Sequence, residues 1–88
     1  LNWKIKPSLK IYPNPSKGLV NVEISQENLT NVEVSIVNVI GDVVSKQTID
    51  NTSKDSLVSF DLGDNAAGVY IVNIKTEKAS TSKKVIIQ

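Results

Sequence analysis

Neither cysteine nor histidine occurs among the 88 residues. Without cysteine there is no disulfide framework, and thiolate zinc sites are excluded. With both residues missing, the commonest general base and the most easily activated nucleophile are gone, so any chemistry falls to carboxylates, lysine or serine. Ser16, Ser53 and Ser56 have no histidine to activate them and sit in no nucleophile elbow. The composition argues against an enzyme and offers no cofactor site. Aromatic residues are scarce as well: Trp3, Tyr12, Phe60 and Tyr70 are too scattered for a coplanar sugar-stacking platform, and Trp3 is expected to pack on the domain edge. Charge of one sign is not in excess. The net charge is +1, and Lys46 and Lys54 lie far from Lys83 and Lys84, so no basic stripe marks a nucleic-acid partner. No apolar run is long enough for a transmembrane segment, and no charged-then-apolar leader opens the chain.

What is present is a chain of short apolar runs, enough at 9.6 kDa for one small domain. Leu1 to Ser8, mixing Trp3 and Ile5 with Lys4, Lys6 and Pro7, reads as a short strand or, the favoured reading, the end of a linker from a preceding domain, with the folded unit at 9–88. Leu9 to Tyr12 is a brief strand stopped by Pro13-Asn14-Pro15. Each proline fixes φ, removes a donor and pushes its predecessor out of the helical region, so Pro13 to Gly18 forms a rigid knuckle. Leu19 to Ile24 alternates, with Val20, Val22 and Ile24 facing in, and Val32 to Val39 repeats the period of two with Val32, Val34 and Ile36 inward. Ile40-Gly41-Asp42 supplies a bulged turn, and Asn38 is placed to bond back to the backbone. Val43 to Ile49 returns antiparallel, Asp50 to Asp55 reads as an exposed loop, and Ser56 to Leu62 is a strand with Val58, Phe60 and Leu62 on one face.

The last stretch carries the most information. Gly68 opens a run in which Tyr70, Val72 and Ile74 alternate with Ile71, Asn73 and Lys75; a polar break follows at Glu77-Lys78, and a second run ends on Val85-Ile86-Ile87-Gln88. Two such runs predict a hairpin whose final residues are tied into a sheet, where most chain ends fray. Tyr70 is expected inward with its hydroxyl bonded to backbone. Nowhere does a helical stripe occur, so six or seven short strands predict an antiparallel β-sandwich. Asp61, Asp64 and Asn65 lack the spacing of a calcium loop and read as a turn satisfying its own backbone. Asn28-Leu29-Thr30 and Asn51-Thr52-Ser53, which match the glycosylation pattern, read as loop composition. Lys83 and Lys84 admit two readings: protection of a terminal edge strand, which physics alone favours, or a partner docking on that edge by strand addition.

Four segments stand in a fixed order: Tyr12-Pro13-Asn14-Pro15 with Gly18; Val34 to Gly41; Leu62 through Ala67 to Gly68-Val69-Tyr70; and Lys83-Lys84-Val85-Ile86-Ile87 at the end. Over about residues 10 to 88 the chain resembles the C-terminal sorting domain of type IX secretion (the Por system) in Bacteroidota. The resemblance implies an immunoglobulin-like, antiparallel β-sandwich of about seven strands, carried behind a cargo that reaches the periplasm by its own signal peptide. The domain is then recognised by the outer-membrane translocon, and the cargo ends up secreted or attached to the cell surface. In many members a sortase-like cysteine protease removes the domain and links the cargo to anionic lipopolysaccharide; in others the cargo is released. Carried over by position, Pro13, Asn14, Pro15, Gly18, Gly41, Gly68, Tyr70, Lys83, Lys84, Val85, Ile86 and Ile87 are implied to be recognition or framework residues, and Leu1 to Ser8 the segment where processing occurs in cleaved members. The resemblance turns the reading of Lys83 and Lys84 from edge protection to address label. A binding or spacer module of immunoglobulin or fibronectin type, for instance for carbohydrate, is the alternative.

Overall fold

The computed structural model describes residues 9–25, 29–52, 56–77 and 79–88. The linker assigned to 1–8 with Trp3, and the loop residues Asn28, Ser53, Lys54 and Lys78, lie outside the described residues. Seven strands follow one another: β1 (Leu9–Tyr12), β2 (Leu19–Ile24), β3 (Thr30–Val37), β4 (Val43–Asn51), β5 (Ser56–Asp61), β6 (Gly68–Lys75) and β7 (Ser80–Ile87). They form two antiparallel sheets, ordered β1-β2-β5 and β4-β3-β6-β7, and no helix occurs among the described residues. This is the expected immunoglobulin-like β-sandwich, a three-stranded sheet facing a four-stranded one.

The period-two pattern decides which face is dry. Val20, Val22 and Ile24 of β2 meet Val32, Val34 and Ile36 of β3 and Val72 and Ile74 of β6 in one core, all with no exposed surface. Burying each such side chain stabilises the fold by about 1.5–3 kcal/mol. Val85 and Ile87 of β7 join the same core, so the chain's last residues are structural as well as terminal.

Four boundaries differ from the sequence reading: β3 starts at Thr30, not Val32, β5 stops at Asp61, one short of Leu62, and the ends of β3 and β4 move as well. β3 ends at Val37, not Val39, because Asn38 turns the chain: its Oδ1 accepts the N–H groups of Ile40 (3.1 Å) and Asp42 (3.0 Å), leaving Val39 and Ile40 exposed. The expected bulged turn is present: Gly41, at φ +94°, donates its N–H to Asn38 O (3.0 Å), and Asn38 N–H donates to Asp42 O (3.0 Å); a separate register shift between Ile36 and Val37 leaves Val44 packed against the core. β4 runs on to Asn51, so Asp50 and Asn51 are strand, not loop. Thr52 beyond them is buried, because its N–H donates to Leu29 O (2.8 Å) and its Oγ1 accepts Leu29 N–H (2.9 Å).

Candidate functional site

Pro13 and Pro15 have no N–H to give, so the knuckle cannot continue β1 as an ordinary ladder strand. Both preceding peptide bonds are cis. The group between the prolines makes the contact. Asn14 Nδ2–H donates to Lys84 O (3.1 Å), and Asn14 Oδ1 accepts Ile86 N–H (3.0 Å), so a side-chain amide stands in for a peptide group beside β7. Ser16 continues the line with its backbone: Ser16 N–H donates to Ile86 O (2.8 Å), and Ser16 O accepts Gln88 N–H (2.7 Å), a parallel bridge. The outward polar groups of β7 from the Lys84 carbonyl to the Gln88 amide are thereby occupied.

Ser16 is 1% exposed, and its Oγ is consumed locally, donating to Leu19 O and accepting Gly18 N–H (3.0 Å). The residue considered as a nucleophile is a hinge pin of the knuckle, which sequence reasoning missed. Its only sequence signal was a serine two residues before a glycine. Gly18 has φ +145°, and a Cβ there would stand 2.9 Å from the Gly63 Cα; beside it Gly18 O accepts Leu62 N–H (2.8 Å). Asp61 Oδ1 accepts Gly63 N–H (2.9 Å), the turn role expected of it.

The nominated residues fall into two groups. Asn14, between Pro13 and Pro15, is bonded to the end of β7, and Gly18 closes the same knuckle against Leu62 and Gly63. Gly41, at φ +94°, tips the β3–β4 hairpin, whose residues Asn38, Val39 and Ile40 share a shallow cavity of about 370 Å³ with Gly68 and Tyr70. Tyr70 is buried, and its hydroxyl donates to Ala66 O four residues upstream, the tyrosine corner expected at the start of this strand.

Along β7 the side chains part by alternation. Val85 and Ile87 are buried and serve the core, whereas Lys83, Lys84 and Ile86 are exposed. Lys84 pairs in register with Ile71 and Ile86 with Val69, so both point away from the core; Lys83 pairs with the buried Val72 and lies on the core side of the edge. One ion pair is present among the described residues, Lys46 with Glu33 at 4.0 Å. At the opposite end of β1 from Leu9, the Tyr12 hydroxyl donates to Glu23 Oε1 (3.1 Å), and that bond, with partial desolvation and the carboxylate's charge, raises the Tyr12 pKa. Phe60 and Tyr70 are both buried, leaving Tyr12 as the exposed aromatic among the described residues.

The arrangement binds the knuckle, near the start of the domain, to the chain's last strand. It brings together no set of three or more histidine, cysteine or acidic residues among the described residues. A family model, that of the secretion system C-terminal sorting domain, matches residues 10–88. No curated protein matches the chain significantly.

Proposed function

The chain belongs to the family of secretion system C-terminal sorting domains, those of type IX secretion, and we propose that it is read as a folded, non-catalytic address label by the outer-membrane translocon, through the terminal hairpin and the knuckle fastened to it. Membership marks the polypeptide for export across the outer membrane. The finer reading is that the cargo lies upstream of residue 9 and that Leu1 to Ser8 is the linker where a sortase-like cysteine protease cuts before the cargo is joined to lipopolysaccharide. What carries the recognition reading is the junction itself. Asn14 and Ser16 make four hydrogen bonds of 2.7–3.1 Å to the last residues of the chain, so the first and last of the four ordered segments form a single surface.

The test is secretion of a periplasmic reporter carrying the 88-residue chain at its C-terminus, in a host with a working type IX system. The wild-type fusion is expected outside the cell, and Lys83→Ser with Lys84→Ser is expected to retain it. Those lysines are exposed, so their loss leaves the core intact. Deleting Val85 to Gln88 is a poorer test, because it removes buried Val85 and Ile87 and would report unfolding. A wild-type fusion held in the periplasm would overturn the proposal.

A further inference from the structure

The solvent side of the four-stranded sheet is not uniformly polar, as a face turned to water ordinarily is. At one end, Thr48, Glu33, Lys75 and Ser80 stand in register across β4, β3, β6 and β7, followed by Lys46, Ser35, Asn73 and Ser82. At the other end the pattern reverses. Val43, Val37 and Ile71 line up across three strands and end on Lys84, with Val69 and Ile86 paired in the next position. Val43 is 58% exposed, Val69 and Ile86 are each 38% exposed, and beside them Val39 and Ile40 of the hairpin are each 77% exposed. Five aliphatic side chains on a strip about 14 Å wide across four strands are not needed by a core that already buries Val32, Val34, Ile36, Val72 and Ile74. Contiguous exposed apolar surface of this kind marks an interaction site.

The edge of β7 is a weaker candidate. Its outward groups from the Lys84 carbonyl onward are taken by Asn14 and Ser16, and Lys83, on the core side of the remaining edge, is a device that discourages strand addition. Charge selects the occupant. Lys84 ends the apolar row and has no acidic partner among the described residues, whereas Lys75, at the polar end, stands in register with Glu33, which also holds Lys46. Resting on the sorting-domain reading above, we infer that this outer face is a docking surface for a partner protein's extended segment, apolar on the side laid against Val37, Ile71, Val69 and Ile86, with a carboxylate opposite Lys84.

Two probes of equal length test it on the 88-residue chain by nuclear magnetic resonance: an extended peptide alternating leucine with glutamate, and one alternating leucine with lysine. The glutamate peptide is expected to shift the signals of Val69, Ile71, Lys84 and Ile86, less so as salt is added. Equal response to both peptides, shifts confined to the Ser80–Ser82 edge, or no shift at all would overturn the inference. In the secretion assay the double variant Ile71→Thr with Ile86→Thr, both outward and both suited to a strand, is expected to lower export about tenfold with an unchanged melting temperature. If the wild-type fusion is exported and this variant is exported equally, the docking surface is wrong and the sorting reading stands; if the wild type is retained, the sorting reading itself fails. A concentration-dependent dimer lost in Lys84→Glu would also overturn the inference, by assigning the face to a second copy whose Asp42, beside Val43, meets Lys84.

Discussion

Asn14 and Ile86 are 72 residues apart in the chain and joined by a hydrogen bond of 3.0 Å from the Ile86 amide to the Asn14 side-chain oxygen. With its own amide nitrogen on Lys84 O at 3.1 Å, Asn14 presents to β7 the donor and acceptor that a neighbouring strand would present. Proline on both sides explains why a side chain does this: neither Pro13 nor Pro15 has a backbone N–H, so the peptide groups at those positions cannot donate. The knuckle is therefore both the end of β1 and the cover of the terminal strand's edge.

Replacing Asn14 by alanine is expected to lower stability by about 1–2 kcal/mol, two net hydrogen bonds made at an exposed site. The local effect is the sharper one. Ile86 N–H loses its acceptor and should exchange with solvent faster than the amide of Tyr70, which pairs with Val85 across the hairpin. Hydrogen exchange read residue by residue decides this, and an Ile86 amide as protected in Asn14→Ala as in the parent would show that the side-chain bond does not hold the edge.

Gly18 and Gly41 separate crowding from backbone strain. Both have φ in the left-handed half of the map, +145° and +94°, but a Cβ on Gly18 would stand 2.9 Å from the Gly63 Cα, and a Cβ on Gly41 meets nothing within 4 Å. Gly41→Ala is expected to cost about 1 kcal/mol from strain alone. Gly18→Ala must in addition push the Gly63 backbone away and strain the bond from Leu62 N–H to Gly18 O, so it is expected to cost at least about 2 kcal/mol. Thermal denaturation of the two variants gives the order, and equal losses would mean that the 63–67 loop yields freely.

The strands and their inward faces were legible because alternation is a local property: Val20, Val22 and Ile24, or Val58, Phe60 and Leu62, announce a dry side wherever they end up. Tyr70 was legible for a related reason, since a buried phenol needs a partner and its own upstream backbone is nearest. The union of Asn14 and Ser16 with the last strand was not. Nothing within a few residues of Asn14 indicates that its amide will be spent on Ile86, because that depends on how two sheets stack. The apolar strip was hidden differently: alternation already set Ile71 opposite Tyr70, Val72 and Ile74, and Val37 opposite Val34 and Ile36, but only the register of β3, β4 and β6 lines the two up with Val43 in one row.

Tyr70 allows its packing and its hydroxyl to be measured apart. Tyr70→Phe keeps the ring in the core and deprives Ala66 O of its donor, for an expected loss of about 1–2 kcal/mol. Tyr70→Ala removes the ring as well and is expected to cost about 3–5 kcal/mol, as other large aromatic truncations do. Chemical denaturation supplies both values. If the phenylalanine variant proves as stable as the parent, the tyrosine corner contributes shape only.

Tyr12 gives the protein a pH dependence at the alkaline end. Its pKa lies above the ordinary 10.0, chiefly because the neutral hydroxyl donates to Glu23 Oε1, with desolvation and the carboxylate's charge acting in the same direction. A raised pKa means that the folded state holds the phenolic proton more firmly than the unfolded chain does. The stabilisation is thus fully present below pH 10.0 and is lost as pH climbs through the raised value. Tyr12→Phe cannot ionise, so its stability should fall less steeply than the parent's across that interval. Glu23→Gln keeps an acceptor but removes the charge, and should bring the Tyr12 pKa part of the way back toward its ordinary value. Denaturation midpoints followed through alkaline pH, together with the ring resonances of Tyr12, provide the comparison. Coincident curves for the parent and Tyr12→Phe would show that this hydrogen bond between β1 and β2 contributes nothing in solution.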